Sequence, residues 1–147
     1  MELTDTALAA LLAREPVARL ATLNREGRPH LVPVVFAPSA QHIYSPIDGK
    51  PKRGATLARI RNLDANPAAA LLIDHYDHDW RALWWLRLDV HAECVQRSNV
   101  PAAEFAAAIA ALTNKYPQYA ATAVLRDDAT LIRMRIVKQV AWSATDG

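Results

Sequence analysis

Apolar and polar residues alternate over much of the chain, in short runs typical of half-buried β-strands. The longest run covers residues 82–97, in which every second side chain is apolar over most of the length. Residues 17–23 and 30–36 are also strand-like, and Gly27 stands between them where a hairpin loop needs a positive φ. Further strands are predicted at residues 41–45, after a turn at Pro38 and Ser39, and at residues 68–74 and 130–142.

Three other segments carry apolar residues at helical spacing. Residues 4–14 and 55–65 have such a stripe, and a proline follows each of them closely. A third stripe begins after Pro101, which suits the first turn of a helix. The strands follow one another with short helices between them, and strands and helices do not alternate regularly as in a doubly wound fold. We therefore predict one α+β domain over residues 1–147, built as an antiparallel β-barrel.

The composition is that of a globular protein without a marked charge. Of the 147 residues, 52% are hydrophobic and 22% are charged, and the formal net charge is +2. This small excess gives little support to nucleic-acid binding, which normally needs many cations on one face. No window approaches the roughly 18 apolar residues that span a bilayer. The N-terminal segment is unlike a signal peptide and Cys94 is the single cysteine, so a cytoplasmic location without an internal disulfide is expected.

Positive charge is concentrated in residues 45–53, with the sequence SPIDGKPKR. Lys50, Lys52 and Arg53 lie within four positions, directly before the helix predicted at residues 55–65. The N–H groups of a helix N-terminus and nearby cations both favour an anion, so the segment is a candidate phosphate site. Short charged turns are also common on solvent-exposed surfaces, and composition alone favours that second interpretation.

Trp84 and Trp85 are neighbours in the longest predicted strand and must point to opposite faces. Trp84 falls on the apolar face and is expected in the core. Trp85 shares its face with Arg87, where a large aromatic ring normally needs a cover. A second subunit and a planar ligand both remain possible covers for Trp85.

Motifs for other chemistries are missing or incomplete. The chain has only four glycines and contains no G-x-G-x-x-G, no Walker loop and no G-x-S-x-G. His75, His78 and Asp79 suggest a metal site, but no further Cys or His cluster completes a tetrahedral set, so no metal is expected. Cys94 alternates onto the buried face of its strand and is expected to be a core residue.

A set of short segments spread over nearly the whole chain has a familiar combination of residues. These segments are ARLAT (18–22), GRPHLVPVVF (27–36), DGKPKR (48–53), RNL (61–63), NP (66–67), LIDHY (72–76), WWLR (84–87) and KYPQY (115–119). Together they resemble the pyridoxamine 5'-phosphate oxidase-like superfamily. Within it, the chain is similar to the branch of deazaflavin (coenzyme F420)-dependent oxidoreductases of actinobacteria. The resemblance implies an antiparallel split β-barrel with short flanking helices, and a homodimer with two cofactor sites at the subunit interface.

The resemblance also implies which residues contact the cofactor. Residues 33–36 would contact the ring system, and residues 45–53 would reach the ribityl chain and the phosphate. Trp85 would come from the partner subunit. The helix predicted after residues 45–53 would add two weaker candidates, Arg59 and Asn62. The candidate cofactor-binding residues are Pro33, Val34, Val35, Phe36, Ser45, Asp48, Lys50, Lys52, Arg53, Arg59, Asn62 and Trp85.

The activity implied by the resemblance is hydride transfer between coenzyme F420 and a small organic substrate. An FMN-dependent oxidase or reductase on the same fold is the first alternative, and a protein that only carries a cofactor or binds haem is the second. The sequence lacks the Arg- and Trp-rich C-terminal motif of true pyridoxamine 5'-phosphate oxidases, so vitamin B6 oxidation is not expected. No catalytic residue is assigned. His30 and Tyr76 are conceivable proton donors, although ordinary strand-end and loop roles fit them as well.

Overall fold

Seven β-strands and three α-helices make up the residues that the computed structural model describes, which are 1–47, 55–122, 124–126 and 128–145. The strands are β1 (Ala18–Leu23), β2 (Pro29–Val34), β3 (Ala37–Ser39), β4 (His42–Ile47), β5 (Ala68–His75), β6 (Trp84–Val95) and β7 (Thr130–Ser143). The helices are α1 (Asp5–Arg14), α2 (Ala55–Ala65) and α3 (Ala102–Lys115). Short 3₁₀ turns cover Trp80–Ala82, Arg97–Asn99 and Pro117–Ala121.

All seven strands belong to one antiparallel sheet in the order β2-β1-β5-β6-β7-β4-β3. The two edge strands, β2 and β3, follow each other in sequence with only Val35 and Phe36 between them. Three peptide units reach at most about 11 Å, so the two edges must lie close together and the sheet must curl on itself. The result is the antiparallel split β-barrel that the sequence predicts, with a seam between β2 and β3.

Inward-facing side chains of the curled sheet form the main core. Leu20, Leu71, Leu88 and Met134 are fully buried there, on four neighbouring strands. The helix α1 adds Leu11 and Leu12 to this cluster, and α2 adds Leu63. A second cluster lies under α3, whose buried face carries Phe105, Ala108 and Leu112. The helices α1 and α2 therefore pack against the main core, and α3 covers the part of the sheet that includes Ala37 on β3, Tyr44 on β4 and Leu131 on β7.

Most of the elements predicted from the sequence are confirmed, and one segment was predicted wrongly. Gly27 has a φ of 78°, as its place in the β1–β2 hairpin requires. The segment around Pro38 was predicted as a turn, but residues 37–39 form β3 and pair with β4. The turn comes one residue later, at Ala40, whose φ of 51° lies in the left-handed region that alanine rarely adopts. Among the described residues, no helix is long and apolar enough to cross a membrane.

Candidate cofactor site

A pocket opens at the barrel seam, where the end of β2 faces β4 and α2. Its volume is about 260 Å³, and it is lined by Pro33, Val34, Val35, Pro46, Arg59, Tyr119 and Val124. Four of these residues are candidates from the sequence: the three from β2 and its end, and Arg59 on α2. The structure therefore brings together two candidate segments that are more than twenty positions apart in the chain.

In the sequence, residues 48–54 lie between the two elements that frame this pocket. The strand β4 ends at Ile47 and α2 begins at Ala55. Pro46 at one end of the connection and Arg59 at the other both line the pocket. Asp48, Lys50, Lys52 and Arg53 lie outside the described residues, so their role as phosphate ligands stays a prediction.

Two candidates, Phe36 and Ser45, have side chains that face the interior. Phe36 is fully buried in the main core. Ser45 is also buried, and its hydroxyl donates a hydrogen bond of 2.7 Å to the carbonyl oxygen of Val35. Neither residue lines the pocket, and Ser45 acts on the pocket wall through the backbone of Val35.

Asn62 is buried between α2 and the sheet. Its Nδ2 donates a hydrogen bond of 3.0 Å to Oγ1 of Thr22, which is also buried. A buried amide needs such a partner, because burying a polar group without one costs free energy. This contact gives Asn62 a structural role in holding α2 against β1, while its contact with a cofactor remains a prediction.

Trp85 lies on the outer face of the barrel and borders two cavities. The larger cavity, of about 480 Å³, is lined by Arg19, Ala21, Leu31, Ala70, Leu72, Asp74, Trp85 and Arg87. The Arg87 guanidinium carbon lies 6.0 Å from the centre of the Trp85 ring. The smaller cavity, of about 220 Å³, also contains Trp84, which is partly exposed and packs against the core. The two indoles lie on opposite faces of β6, but Trp84 is less buried than a core residue.

Apolar side chains on the outer face of β1, β2, β5 and β6 are unusually exposed. Leu31 is 65% exposed and Leu72 is 37% exposed, and both line the larger cavity. The flanking charges are partly neutralised, since Arg19 and Asp74 form an ion pair of 2.9 Å. We call the surface formed by the residues that line the larger cavity the outer sheet face. An exposed apolar patch of this kind is typical of a surface that binds a partner or a ligand.

Lys115 and Tyr116, which end α3, are functional candidates that the sequence did not single out for chemistry. The Lys115 ammonium donates to the carbonyl oxygens of Leu12 at 2.7 Å and of Phe36 at 2.8 Å, and lies 3.7 Å from the centre of the Phe36 ring. Burial disfavours its charged form and lowers the pKa of Lys115 to about 8. Burial also raises the pKa of Tyr116. The signal in the sequence was a lysine and a tyrosine directly after an apolar helical stripe.

The two conceivable proton donors lie away from the pocket lining. His30 is on the inward face of β2, opposite Thr22 of β1, and its buried Nδ1 has no hydrogen-bond partner among the described residues. Tyr76 is exposed after β5, and its hydroxyl accepts a hydrogen bond of 3.3 Å from Nε1 of Trp80. Neither residue is placed to deliver a proton into this pocket within one subunit.

Metal and thiol chemistry find little support in the described part of the chain. It contains no group of three or more His, Cys, Asp or Glu residues that could hold a metal ion. Burial raises the pKa of the Cys94 thiol to about 11, with a smaller contribution from the charge of Asp64. Since the thiolate is the nucleophilic form, Cys94 is a poor nucleophile at neutral pH.

Comparison with known proteins agrees with this architecture. The family model described as pyridoxamine 5'-phosphate oxidase matches residues 4–142. A comparison with curated protein sequences gives no match.

Three solved structures illustrate the range of similar proteins. The conserved hypothetical protein Rv2991 from Mycobacterium tuberculosis has 16% identity and a TM-score of 0.76, covering 98% of this chain and 87% of that one. The haem storage protein HutZ from Vibrio cholerae has 20% identity and a TM-score of 0.70, covering 97% and 95%. An F420 reductase has 22% identity and a TM-score of 0.61, covering 89% and 94%. At these identities the similarity concerns the fold.

Proposed function

The chain belongs to the pyridoxamine 5'-phosphate oxidase family, and from that premise we propose that it is an F420-dependent oxidoreductase. It would transfer a hydride between the deazaflavin and a small organic substrate. The observation that carries the proposal is the pocket at the barrel seam. The strand candidates Pro33, Val34 and Val35 line it together with Arg59. The sequence between β4 and α2 adds three cations.

The chemistry of the pocket fits a phosphorylated, planar cofactor. The loop is followed by the N-terminus of α2, whose N–H groups favour an anion, and Lys50, Lys52 and Arg53 add charge-assisted hydrogen bonds to a phosphate. The edge strand β2 has main-chain groups that the sheet does not use on its open side, and these can bind polar atoms of a ring system. When bound, the deazaflavin supplies the hydride.

The protein's part in this mechanism is to bind, orient and shield. Val34 is buried and Pro33 has a fixed φ, so the wall formed by the end of β2 is stiff and can hold a ring in one orientation. Arg59 and the loop cations fix the phosphate end. Of the described residues that line this pocket, Tyr119 has a hydroxyl that can donate a proton, and solvent or a water bound with the substrate is the alternative source.

A second copy of the chain completes the proposed site. A pocket of about 260 Å³ is smaller than the roughly 300–1,000 Å³ of typical cofactor and ligand pockets, so it can enclose only part of the cofactor. The outer sheet face has exposed Leu31 and Leu72 and the ring of Trp85, which together form a surface suited to a self-complementary interface. We propose a homodimer through this face, in which Trp85 contributes to the site of the other subunit.

FMN is the second candidate cofactor, because its phosphate would use the same loop. A haem-binding function has weaker support at this pocket. Haem needs an axial ligand, and no histidine is among the described residues that line it. The solved structures with this fold include both an F420 reductase and a haem storage protein, so the fold itself does not decide between them.

Titration of the purified protein with F420, FMN and haem tests the proposal. Quenching of the four tryptophans reports binding. Riboflavin and the deazaflavin without its phosphate serve as matched ligands that lack the anion. We expect F420 to bind more tightly than FMN, and each phosphorylated cofactor to bind more tightly than its counterpart without phosphate. Tight binding of FMN or haem without binding of F420 would overturn the assignment.

Turnover is then measured with reduced F420 and a panel of electron-poor alkenes, carbonyls and quinones. Oxidation of the reduced cofactor that depends on both protein and substrate supports the enzymatic function. Tight F420 binding without turnover on any of them would favour a protein that only carries the cofactor.

A further inference from the structure

Val35 and Phe36 are the two residues that close the barrel seam. They connect the edge strands β2 and β3, and they belong to neither strand. Val35 lines the seam pocket, and Phe36 directs its ring into the main core. The backbone of these two residues is therefore held by something other than the hydrogen bonds of the sheet.

The hydroxyl of Tyr116 is the first of these contacts. It lies 3.1 Å from the backbone nitrogen of Phe36, 2.9 Å from the carbonyl oxygen of Phe36 and 2.8 Å from the carbonyl oxygen of Pro16. A hydroxyl has one proton, so it accepts from the Phe36 N–H and donates to one of the two carbonyls. Tyr116 thus gives the otherwise isolated N–H of Phe36 its partner.

Lys115 is the second contact and joins three elements. Its ammonium bridges the carbonyl oxygens of Phe36 and Leu12, and it lies over the Phe36 ring. Leu12 is in the last turn of α1, and Lys115 is itself the last residue of α3. The negative ends of two helix dipoles therefore favour its positive charge. Glu15, directly after α1, is the carboxylate whose charge acts on Lys115, and it is paired with Arg14 at 2.9 Å.

The third contact comes from β4, where the Ser45 hydroxyl donates to the carbonyl oxygen of Val35. Side chains from β4 and α3 thus hold a two-residue segment whose Val35 side forms the pocket wall. Tyr119, in the turn after α3, lines the same pocket, and its ring packs edge-on against Tyr116 with the centres 6.1 Å apart. Tyr116 therefore contacts Phe36 through its hydroxyl and another residue of the pocket lining, Tyr119, through its ring.

We propose that Lys115 and Tyr116 are positioning residues, which hold the Val35–Phe36 backbone in the conformation that the cofactor site requires. This inference rests on the proposed function for its cofactor. Neither side chain lines the pocket, so both act through Phe36 and, for Tyr116, also through Tyr119. Loss of either contact loosens the seam and shifts the wall against which the ring system lies.

The test uses Tyr116→Phe and Lys115→Met, which remove the polar atoms but keep most of the packing. Tyr44→Phe is the matched control, because it removes another buried tyrosine hydroxyl, one that hydrogen-bonds to Glu104 rather than to the backbone of residue 35 or 36. Three quantities are measured for each protein. They are hydrogen exchange of the Phe36 amide without cofactor, the affinities for F420 and FMN, and the fluorescence anisotropy of bound FMN.

For Tyr116→Phe we expect at least about tenfold faster exchange at Phe36 and about tenfold weaker cofactor binding, since a lost hydrogen bond of this kind changes an equilibrium by that order. Lys115→Met should weaken cofactor binding in the same direction. Bound FMN should show lower anisotropy in both variants, which a general loss of stability would not produce. Tyr44→Phe should lower the melting temperature without changing any of the three quantities.

The outcomes separate this inference from the proposed function. If the wild type binds F420 or FMN and the two variants bind it equally well, the positioning role is overturned and the proposed function stands. If Tyr44→Phe weakens binding as much as Tyr116→Phe, the effect is one of stability, and the positioning role is overturned. If the wild type binds neither cofactor, the proposed function fails, and unchanged exchange at Phe36 in Tyr116→Phe would show separately that the contact does not hold the seam.

Discussion

Arg133 and Glu104 form an ion pair in which Nη1 of the arginine lies 2.8 Å from Oε1 of the glutamate. Each side chain is about three-quarters buried, and the pair ties α3 to β7. The same glutamate oxygen accepts a hydrogen bond of 2.8 Å from the hydroxyl of Tyr44 on β4. These two hydrogen bonds, first that of Tyr44 and then that of Arg133, hold the pKa of Glu104 below its usual value.

Glu104→Gln should therefore destabilise the protein by about 1 kcal/mol at pH 7, because the charge is lost and an acceptor of similar shape remains. A carboxylate with a lowered pKa contributes stability above its unfolded pKa of 4.5 and loses it as the pH falls. Urea unfolding at pH 7 and pH 3 checks this, and the difference between wild type and variant should shrink at pH 3. The control is Glu93→Gln, since the Glu93 side chain also pairs with Arg133 but is about half exposed, and its cost should be smaller.

Asn62→Ala should cost about 2 kcal/mol of unfolding free energy, because the buried hydroxyl of Thr22 loses its donor. A double-mutant cycle with Thr22→Val should give a coupling energy of about 1 kcal/mol. An affinity of the folded variant for F420 and FMN equal to that of the wild type would leave Asn62 the structural role alone. A tenfold weaker affinity with unchanged stability would contradict the structural role and support the cofactor contact.

Replacing Lys50, Lys52 and Arg53 together by alanine should weaken F420 and FMN binding by at least about a hundredfold, since each charge-assisted hydrogen bond is worth roughly 1.5–3 kcal/mol. The melting temperature without cofactor and the affinity for riboflavin should hardly change. Calorimetric titration measures both affinities. Arg25, Arg28 and Arg97, replaced together by alanine, give a control with the same change in charge at exposed positions. If both triple variants bind the cofactor equally weakly, the lost net charge explains the effect, and a specific phosphate role of Lys50, Lys52 and Arg53 is contradicted.

Leu31→Asp should convert the proposed homodimer into a monomer, because it places a charge in the apolar centre of the outer sheet face. Val137→Asp is the matched control, since Val137 is 63% exposed and lies outside that cavity, and Leu31 is 65% exposed. Sedimentation velocity gives the oligomeric state, and cofactor titration should show that the monomeric variant also binds weakly. A monomeric wild type would contradict the shared site.

Burial of the Lys115 ammonium should make the stability of the protein depend on pH in the alkaline range. Its pKa is about 8 in the folded protein and 10.5 in its ordinary, unfolded environment, so the unfolded state holds the proton more tightly. The cost of burying the charge is present below pH 8 and is relieved as the pH rises from 8 towards 10.5. The unfolding free energy of the wild type should therefore rise relative to that of Lys115→Met as the pH is raised from 7 to 10. A difference that does not change with pH would contradict a buried, charged Lys115.

Much of the fold could be predicted from the sequence, because side-chain alternation and helical stripes are local patterns. The alternation in β6 and the helical spacing in α1 and α2 gave these elements nearly their observed bounds. The strand β3 was missed because it has only three residues, one of them Pro38, and none has a pattern that requires a strand. It forms because β4 offers it hydrogen-bonding partners, which is a property of the folded chain.

The sequence predicted which segments contribute to the site, but only part of how their side chains are arranged. Residues 33–36 and Arg59 could be chosen from the sequence, and the pocket contains most of them. The inward direction of Ser45 and the pairing of Asn62 with Thr22 depend on which strand and helix lie opposite, and no local pattern contains that information.

The sequence by itself determined the class of fold, the positions of most strands and helices, and the resemblance that identifies the family, because periodicity and motifs are properties of neighbouring residues. Only the tertiary structure decided where the barrel closes and what holds it closed. Tyr116 and Phe36 are 80 positions apart and meet because α3 packs against β3, the strand that begins directly after Phe36. A contact of that separation depends on packing, since the intervening chain must first form the barrel that brings the two residues together.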